Sequence, residues 1–301
     1  MAPYDFLPPE NFLGLDAAHT AYQASRVVVV PIPFESTVSY MGGTKNGPRA
    51  ILQASMQVEL YDRDFGRQPA LEYGVHTLPY LALAHGNIES ALESIAAVTA
   101  EHARAGKLVV GLGGEHTVSV GFGRGLAAVY GAPVLTVQID AHADLRDEFE
   151  GSPYSHACVA RRLLDLGPVV QLGIRSLSQE EAELIDATPS DTLRVFFADE
   201  IHAGRAHLAE LAERVRDRTV FLTIDVDGFD PAYVPATGTP EPDGLSWLQV
   251  LDIVRTVARN ARVVGFDVVE LAPQPGMHAA DFLVAKLTYK TMSEIIAAGR
   301  L

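Results

Sequence analysis

Short apolar runs, rich in β-branched residues, alternate along this chain with longer amphipathic segments. Strands of a parallel sheet are buried on both faces and are connected by helices that cover those faces, so this alternation is typical of an α/β fold. The runs predict strands at 27–31, 74–78, 108–112, 134–139, 169–174, 194–198, 220–224 and 262–268. We therefore expect an α/β fold around a mostly parallel sheet of about eight strands.

Segments with helical periodicity lie between the predicted strands. Their starting signals are a proline at a first helical position and two capping boxes, in which an N-cap serine is followed three residues later by Glu or Gln. The predicted helices begin at Pro48, at Ser178 with Glu181 and at Ser246 with Gln249, or cover 87–105 and 281–298. No repeat, low-complexity tract or Ser/Gly-rich linker divides the chain, which predicts a single domain over residues 1–301.

Charge and cysteine content restrict the classes of partner. The chain has 38 acidic and 23 basic residues, a net charge of −15, so its field repels nucleic-acid backbones and anionic lipid headgroups. We expect no nucleic-acid and no membrane partner, since the uncharged stretches are also shorter than the roughly 18 residues of a membrane helix. The single cysteine, Cys158, cannot form an intrachain disulfide, which favours a cytoplasmic location.

Ligand-type side chains follow three of the predicted strands directly. Ligands of open α/β sheets gather beyond the carboxyl ends of the strands, and residues two apart in extended backbone face the same side. The side chains in question are His116, then Asp140, His142 and Asp144, then Asp225 and Asp227. Each of them alone is more typical of a helix cap or a turn, but their joint spacing predicts one convergent cluster.

A cluster of four carboxylates requires cations, because like charges at close range repel strongly. Two divalent ions would supply the necessary positive charge, and a donor set of oxygen with two imidazoles suits Mn²⁺ better than a structural Zn²⁺. Two such ions can share a water molecule and lower its pKa. The sequence therefore predicts a dinuclear metal site that carries out hydrolysis.

Five motifs resemble the ureohydrolase family, which includes arginase, agmatinase and guanidinobutyrase. They are GGEHTVS, IDAHADLRD, SHA, TIDVDGFDPAYVPATGTPEPDGL and GFDVVELAP, and they extend over most of the chain. The resemblance implies a three-layer α/β/α fold with an eight-stranded sheet, two Mn²⁺ per subunit and assembly as trimers or hexamers. It also implies that one ion is held by His116, Asp140, Asp144 and Asp225, and the other by Asp140, His142, Asp225 and Asp227.

The same resemblance implies roles for three catalytic residues. His156 would carry a proton to the leaving amine, a task that suits its near-neutral pKa. Glu270 would bind the planar guanidinium of the substrate through parallel hydrogen bonds. Asp144 would orient the attacking water. We expect a small cationic guanidino substrate, cleaved to urea and the shortened amine.

The residues near His156 bear on which guanidino compound is cleaved. The segment before it carries Asp147, Glu148 and Glu150, which would repel the carboxylate of arginine and tolerate a terminal ammonium. Ser176 stands where arginases typically have an aspartate. Agmatine, giving putrescine and urea, is therefore the favoured substrate.

Three different functions stay open beside the cleavage of agmatine. Arg146 is interpreted as a solvated loop charge, but an arginine at this position could also pair with the carboxylate of guanidinobutyrate. Arginine itself is the second open substrate. The third open function is that of a metal-binding paralogue without catalytic activity.

Overall fold

Eight strands form one parallel sheet in the computed structural model, which describes residues 10–84 and 86–300. The strands are β1 (Val27–Ile32), β2 (Val75–Thr77), β3 (Leu108–Gly113), β4 (Leu135–Ile139), β5 (Val169–Ile174), β6 (Leu193–Phe197), β7 (Thr219–Asp225) and β8 (Arg262–Val269). Their order across the sheet is β2-β1-β3-β8-β7-β4-β5-β6, and every ladder between these neighbours is parallel. The predicted α/β fold is confirmed.

Each strand coincides with a predicted apolar run to within two residues at either end. Alternate side chains of a strand enter two different cores, one on each face of the sheet. In β1, Val27 and Val29 belong to one core and Val28 and Val30 to the other. Burial on both faces is the reason why these strands read as continuous apolar runs.

Helices cover both faces and complete a three-layer α/β/α arrangement. They are α1 (Ala17–Thr20), α2 (Gly47–Ser55), α3 (Pro69–Tyr73), α4 (Ile88–Arg104), α5 (Val118–Tyr130), α6 (Val159–Leu163), α7 (Gln179–Ala187), α8 (Ala198–His202), α9 (Ala206–Val215), α10 (Trp247–Asn260) and α11 (His278–Ala298). Both predicted capping boxes are formed, at the starts of α7 and α10. Within the described ranges, no helix is long and apolar enough to cross a bilayer.

Helices α5 and α9 were not predicted. In α5, glycines at 121 and 125 hide the helical pattern because glycine is a poor helix former. Their role is close packing: a Cβ on Gly121 would lie 2.7 Å from the Leu92 carbonyl of α4, and one on Gly125 would lie 2.6 Å from the Ala96 carbonyl. The two helices can approach this closely only without side chains at those positions.

The strand order brings the carboxyl ends of β3, β8, β7 and β4 side by side in the middle of the sheet. The predicted ligand-type residues follow three of these four strands, and Glu270 follows the fourth. The segment 231–244 is irregular, as its prolines predict, and follows β7 at the same edge. The single domain, the cytoplasmic location and the trimeric or hexameric assembly stay predictions.

Candidate metal centre and substrate cavity

The ligand-type side chains from three strand ends meet at the carboxyl edge of the sheet. Two groups have ligand atoms that all lie within 4.8 Å of one another: His116 with Asp140 and Asp225, and Asp140 with His142 and Asp227. Asp140 belongs to both groups. The spacing predicted from the sequence is therefore realised as two adjoining clusters.

His116 lies at the centre of the first group. Its Nδ1 is 3.1 Å from an Oδ of Asp140, 3.1 Å from Asp144 and 3.2 Å from Asp225. The other ring nitrogen, Nε2, lies 3.0 Å from the Thr223 hydroxyl, which fixes the ring orientation. Among the described residues, Nδ1 has no hydrogen-bond partner of good geometry although it is buried. A buried nitrogen facing three carboxylates without a hydrogen bond fits a metal ligand.

The second group is ordered by backbone donors. His142 Nδ1 lies 3.0 Å from Asp227 Oδ2 and 3.7 Å from Asp140 Oδ1. The Ala141 amide donates to Asp227 Oδ1 over 3.1 Å, and the His142 amide donates to Asp140 Oδ1 over 2.6 Å. Gln138 donates to the other oxygen of Asp140 over 2.7 Å. These bonds hold each of the two carboxylates in one orientation.

The carboxylates of the two groups carry more charge than their surroundings balance. Burial raises the pKa of Asp140 and of Asp225, and the charge of Asp227 raises both further. Burial and the Asp140 charge raise the pKa of Asp144 to about 7. Burial alone would lower the pKa of His116, yet the surrounding carboxylates raise it well above its usual value. Bound divalent cations would relieve this repulsion between the buried carboxylates.

A cavity of about 230 Å³ opens onto the two groups. Tyr40 and Met41 line it and are exposed, so the cavity reaches the protein surface. Five of the six predicted ligands line it: His116, His142, Asp144, Asp225 and Asp227. The other two predicted catalytic residues, His156 and Glu270, also line it. Further lining residues are Val38, Ser39, Arg146, Phe149, Ser176, Leu177, Glu181 and Thr239. The sixth ligand, Asp140, lies beneath, fully buried.

Glu270 lies in the cavity wall directly after β8. Its Oε1 accepts the His116 amide, and its own amide donates to the Gly114 carbonyl over 2.8 Å. The backbone of Glu270 has φ 66° and that of Asp144 has φ 52°, a left-handed conformation that is uncommon for residues other than glycine and clusters at functional sites. Burial, reinforced by the charge of Glu115, raises the pKa of Glu270 well above its usual value.

His156 begins a short 3₁₀ helix on the other side of the cavity (His156–Cys158). Its Nδ1 is 3.2 Å from the Thr37 hydroxyl and its Nε2 is 3.1 Å from the Ser39 hydroxyl. Burial lowers the pKa of the imidazole to about 4. His156 is therefore neutral at pH 7 and able to accept a proton.

The expected role of the acidic segment before His156 is wrong. Asp147, Glu148 and Glu150 are outside the cavity lining, and Asp147 is exposed. Asp147 instead pairs with Arg161 and Arg162 on the outside of the molecule. Spacing along the chain could not reveal the direction in which this loop turns.

Arg146 and Glu181 take the places in the cavity wall that those acids were expected to hold. Arg146 was interpreted as a solvated charge, but its guanidinium lies over the Phe149 ring, 4.9 Å from the centroid. Its Nε is 3.9 Å from Glu181 Oε2. Glu181 is buried and accepts amide hydrogens from Leu145 and Ser178. The sequence identified Glu181 only as a capping-box residue, since its contact with the cavity comes from tertiary packing.

Arg175 was also missed, although it secures the loop that carries the predicted ligand Asp227. Its guanidinium donates to six backbone carbonyls, those of Gly173, Asp227, Gly228, Phe229, Glu241 and Pro242. Five of these belong to the segment that follows β7. The arginine thereby holds the start and the end of the proline-rich segment together beside the metal ligands.

Comparison with known proteins agrees with this geometry. The model of a family described as the arginase family matches residues 25–293. The chain is 43% identical over 291 residues to an N(1)-aminopropylagmatine ureohydrolase of Synechocystis sp., covering 94% of this chain and 93% of that one. It is 35% identical to an agmatinase of Bacillus anthracis, covering 85% and 87% of the two chains. The solved agmatine ureohydrolase of Thermoplasma volcanium superimposes with a TM-score of 0.82 at 32% identity, covering 93% of each chain. The resemblance inferred from the motifs is confirmed.

Proposed function

The chain belongs to the arginase family and is a ureohydrolase, and on that premise we propose that it cleaves the guanidinium group of an agmatine-type polyamine. The principal substrate is N(1)-aminopropylagmatine, and the products are urea and the corresponding polyamine. The observation that carries the proposal is the cavity, in which two metal-ligand groups, a neutral histidine and a buried glutamate surround one space.

The ligand set is suited to two divalent ions, and we assign these as Mn²⁺. His116, Asp140, Asp144 and Asp225 would hold one ion, and Asp140, His142, Asp225 and Asp227 the other. When bound, the pair would supply an acidified water for attack and positive charge against the negative charge that develops in the reaction. Two observations support this assignment. Within the described residues, Nδ1 of His116 has no hydrogen-bond partner, and the pKa values of Asp140 and Asp225 are raised.

Glu270, Asp144 and His156 have complementary tasks in this proposal. The Glu270 carboxylate accepts N–H bonds from the guanidinium and positions its carbon over the clusters. Asp144 accepts a hydrogen bond from the attacking water and orients it. His156 takes a proton and delivers it to the departing nitrogen, which leaves as a neutral amine. The lowered pKa of His156 keeps its imidazole neutral, so that one ring nitrogen has a lone pair for this proton.

The far end of the cavity supports a cationic substrate. Glu181 contributes a buried carboxylate there, and its nearest positive partner, Arg146, lies 3.9 Å away, at the limit of an ion pair. A substrate ammonium is attracted to Glu181. The opening beside Tyr40 and Met41 leaves room for a chain longer than that of agmatine.

Agmatine is the second candidate, and two comparisons favour it. The agmatinase of Bacillus anthracis and the solved agmatine ureohydrolase of Thermoplasma volcanium are both more than 30% identical to this chain. Three N(1)-aminopropylagmatine ureohydrolases, at 43%, 38% and 38% identity, favour the longer substrate. The two substrates share the guanidinobutyl end and differ in what extends toward the cavity mouth.

A substrate panel tests the proposal. Urea release by the Mn²⁺-loaded protein is measured against N(1)-aminopropylagmatine, agmatine, arginine and 4-guanidinobutyrate. We expect kcat/KM to be highest for N(1)-aminopropylagmatine, lower for agmatine, and at least about 100-fold lower for the two carboxylates, because an unpaired buried charge costs several kcal/mol. His156→Asn, purified in parallel, controls for contaminating activity.

Three results would contradict the assignment at different levels. A preference for agmatine would transfer the principal substrate to the second candidate. A preference for arginine or 4-guanidinobutyrate would indicate that Arg146, rather than Glu181, reads the far end of the substrate. Urea from none of the four would favour a metal-binding protein without turnover.

A further inference from the structure

Thr37 lies between a buried carboxylate and the imidazole of His156, on the segment that follows β1. Its hydroxyl donates to Glu115 Oε1 over 2.9 Å. The other oxygen of Glu115 accepts the amides of Ser36 and Thr37, each over 2.7 Å. Glu115 is fully buried, and these three donors satisfy its two oxygens. The Thr37 hydroxyl therefore uses its single proton in the hydrogen bond to Glu115.

His156 approaches the same hydroxyl oxygen with two of its nitrogens. Its backbone amide donates to Thr37 Oγ1 over 3.0 Å, and its ring Nδ1 lies 3.2 Å from that oxygen. A hydroxyl has one proton and two lone pairs. Because that proton points to Glu115, the oxygen can only accept from the ring, which favours the hydrogen on Nδ1. The Ser155 hydroxyl is the longer contact of Nδ1, at 3.4 Å.

The second ring nitrogen is thereby left with its lone pair. A neutral imidazole has a single N–H, and burial lowers the pKa of His156 to about 4, which keeps it neutral. Nε2 faces the Ser39 hydroxyl over 3.1 Å, and both side chains line the cavity. The nitrogen that is free to accept a proton is therefore the one directed to the cavity side of the ring.

We propose that Thr37, held by Glu115, is a positioning residue that fixes His156 as the Nδ1–H tautomer. This inference rests on the proposed function, since it concerns how His156 moves a proton. Nε2 accepts a proton from the attacking water, and the imidazolium so formed releases the same proton to the departing nitrogen. His156 returns to its neutral form, and Nδ1 keeps its hydrogen throughout.

A double-mutant cycle tests this role. Thr37→Val keeps the shape of the side chain and removes the hydroxyl, and we expect kcat to fall about 10- to 100-fold with little change in KM or metal content. In a His156→Asn background the same substitution should have almost no further effect, because Thr37 acts through the imidazole. Thr37→Ser, which restores a hydroxyl, should recover most of the lost turnover. Thr256→Val, which removes a hydroxyl bonded to the Asp252 carbonyl of α10, is the matched control.

The tautomer itself is measured without turnover. Ring ¹⁵N shifts of His156 in the protein loaded with diamagnetic Mg²⁺ should show a protonated Nδ1 in the wild type and a mixture of tautomers in Thr37→Val. This measurement decides the inference even if none of the guanidino compounds is cleaved. A protonated Nε2 in the wild type would overturn it. An equal loss of turnover from Thr37→Val with and without His156 would also overturn it.

Discussion

Two clusters of ionisable side chains, one buried and one partly buried, lie in different parts of this molecule and are neutralised in different ways. The lysine cluster comprises Lys290 and Arg255 with Asp62, Asp64 and Glu294. Lys290 contacts Asp62 over 2.9 Å and Asp64 over 2.7 Å, while Arg255 contacts Asp64 over 2.6 Å and Glu294 over 2.8 Å. Each carboxylate there has a cation of the chain itself as its partner.

The aspartate cluster, Asp140, Asp144, Asp225 and Asp227, has two histidines and no lysine or arginine among its ion-pair partners in the described residues. The pKa values reflect this difference. A hydrogen bond from Lys290 lowers the pKa of the exposed Asp64. In the aspartate cluster burial would raise the pKa of Asp227 but His142 lowers it, whereas burial raises that of Asp140 and Asp225. A buried acidic cluster that has no lysine or arginine partner is adapted to receive cations from outside. This contrast separates a metal centre from a structural ion-pair network.

The largest expected effect comes from removing one charge of the aspartate cluster. Asp140→Asn should abolish metal binding and lower kcat/KM by more than about 1,000-fold, because Asp140 belongs to both ligand groups. Metal content by elemental analysis and urea release are the two measurements. The matched change in the lysine cluster, Asp62→Asn, should leave both unchanged. Normal metal content in Asp140→Asn would contradict the distinction.

Removing the cation of the lysine cluster should affect stability instead. Lys290→Met leaves Asp62 buried without its partner, and we expect the free energy of unfolding to fall by about 3 to 5 kcal/mol. Denaturant titration measures the change. Lys286→Met, on the same helix, is the control, since Lys286 contacts the Glu59 carbonyl and the Tyr289 ring and forms no ion pair within the described residues. A loss equal to that of the control would show that Lys290 is not an essential counter-ion.

Adding metal should distinguish the two clusters in a third way. Mn²⁺ at 100 times its Kd should raise the free energy of unfolding by about 2.7 kcal/mol, because it binds the folded state only. Thermal unfolding with and without a chelator shows the difference as a shift in Tm. Lys290→Met should keep this shift and Asp140→Asn should lose it. A shift that survives in Asp140→Asn would place the bound metal elsewhere.

The smallest effect concerns His156, which the fold holds in the neutral form. Burial lowers its pKa to about 4, so between pH 6.5 and 4 the unfolded chain binds a proton that the folded protein does not. Unfolding is then favoured as pH falls through this window. Relative to His156→Asn, the wild type should lose roughly 2 kcal/mol of stability from pH 7 to pH 4. Parallel unfolding curves for the two proteins across this range would show that His156 is not protonated on unfolding.

Most of the fold could be predicted from the sequence because its elements follow local rules. Parallel strands are buried on both faces and therefore appear as apolar runs, and capping boxes mark where α7 and α10 begin. Helix α5 was not predicted because its glycines are needed for close packing against α4, a different segment of the chain. Local patterns record only the constraints that a segment imposes on itself.

The part of the site that could be predicted consists of the residues at the ends of the strands. Strands in one sheet end at a common edge, which is why spacing alone predicted the convergence of His116, Asp140 and Asp225. The roles of Glu181 and Thr37 depend on contacts with distant segments, and the left-handed backbone of Glu270 depends on a bond to Gly114. Such features are properties of the folded molecule and have no local signature.

The hydrogen bonds from Arg175 to the segment around 227–242 all go to main-chain oxygens. Since every residue type carries a carbonyl, side chains in this segment can be exchanged without weakening the attachment. Protein engineers who wish to reshape the cavity can therefore randomise a lining position such as Thr239 while the spacing between the metal ligands is preserved. The arginine itself has no such freedom, because no other side chain offers as many fixed donors.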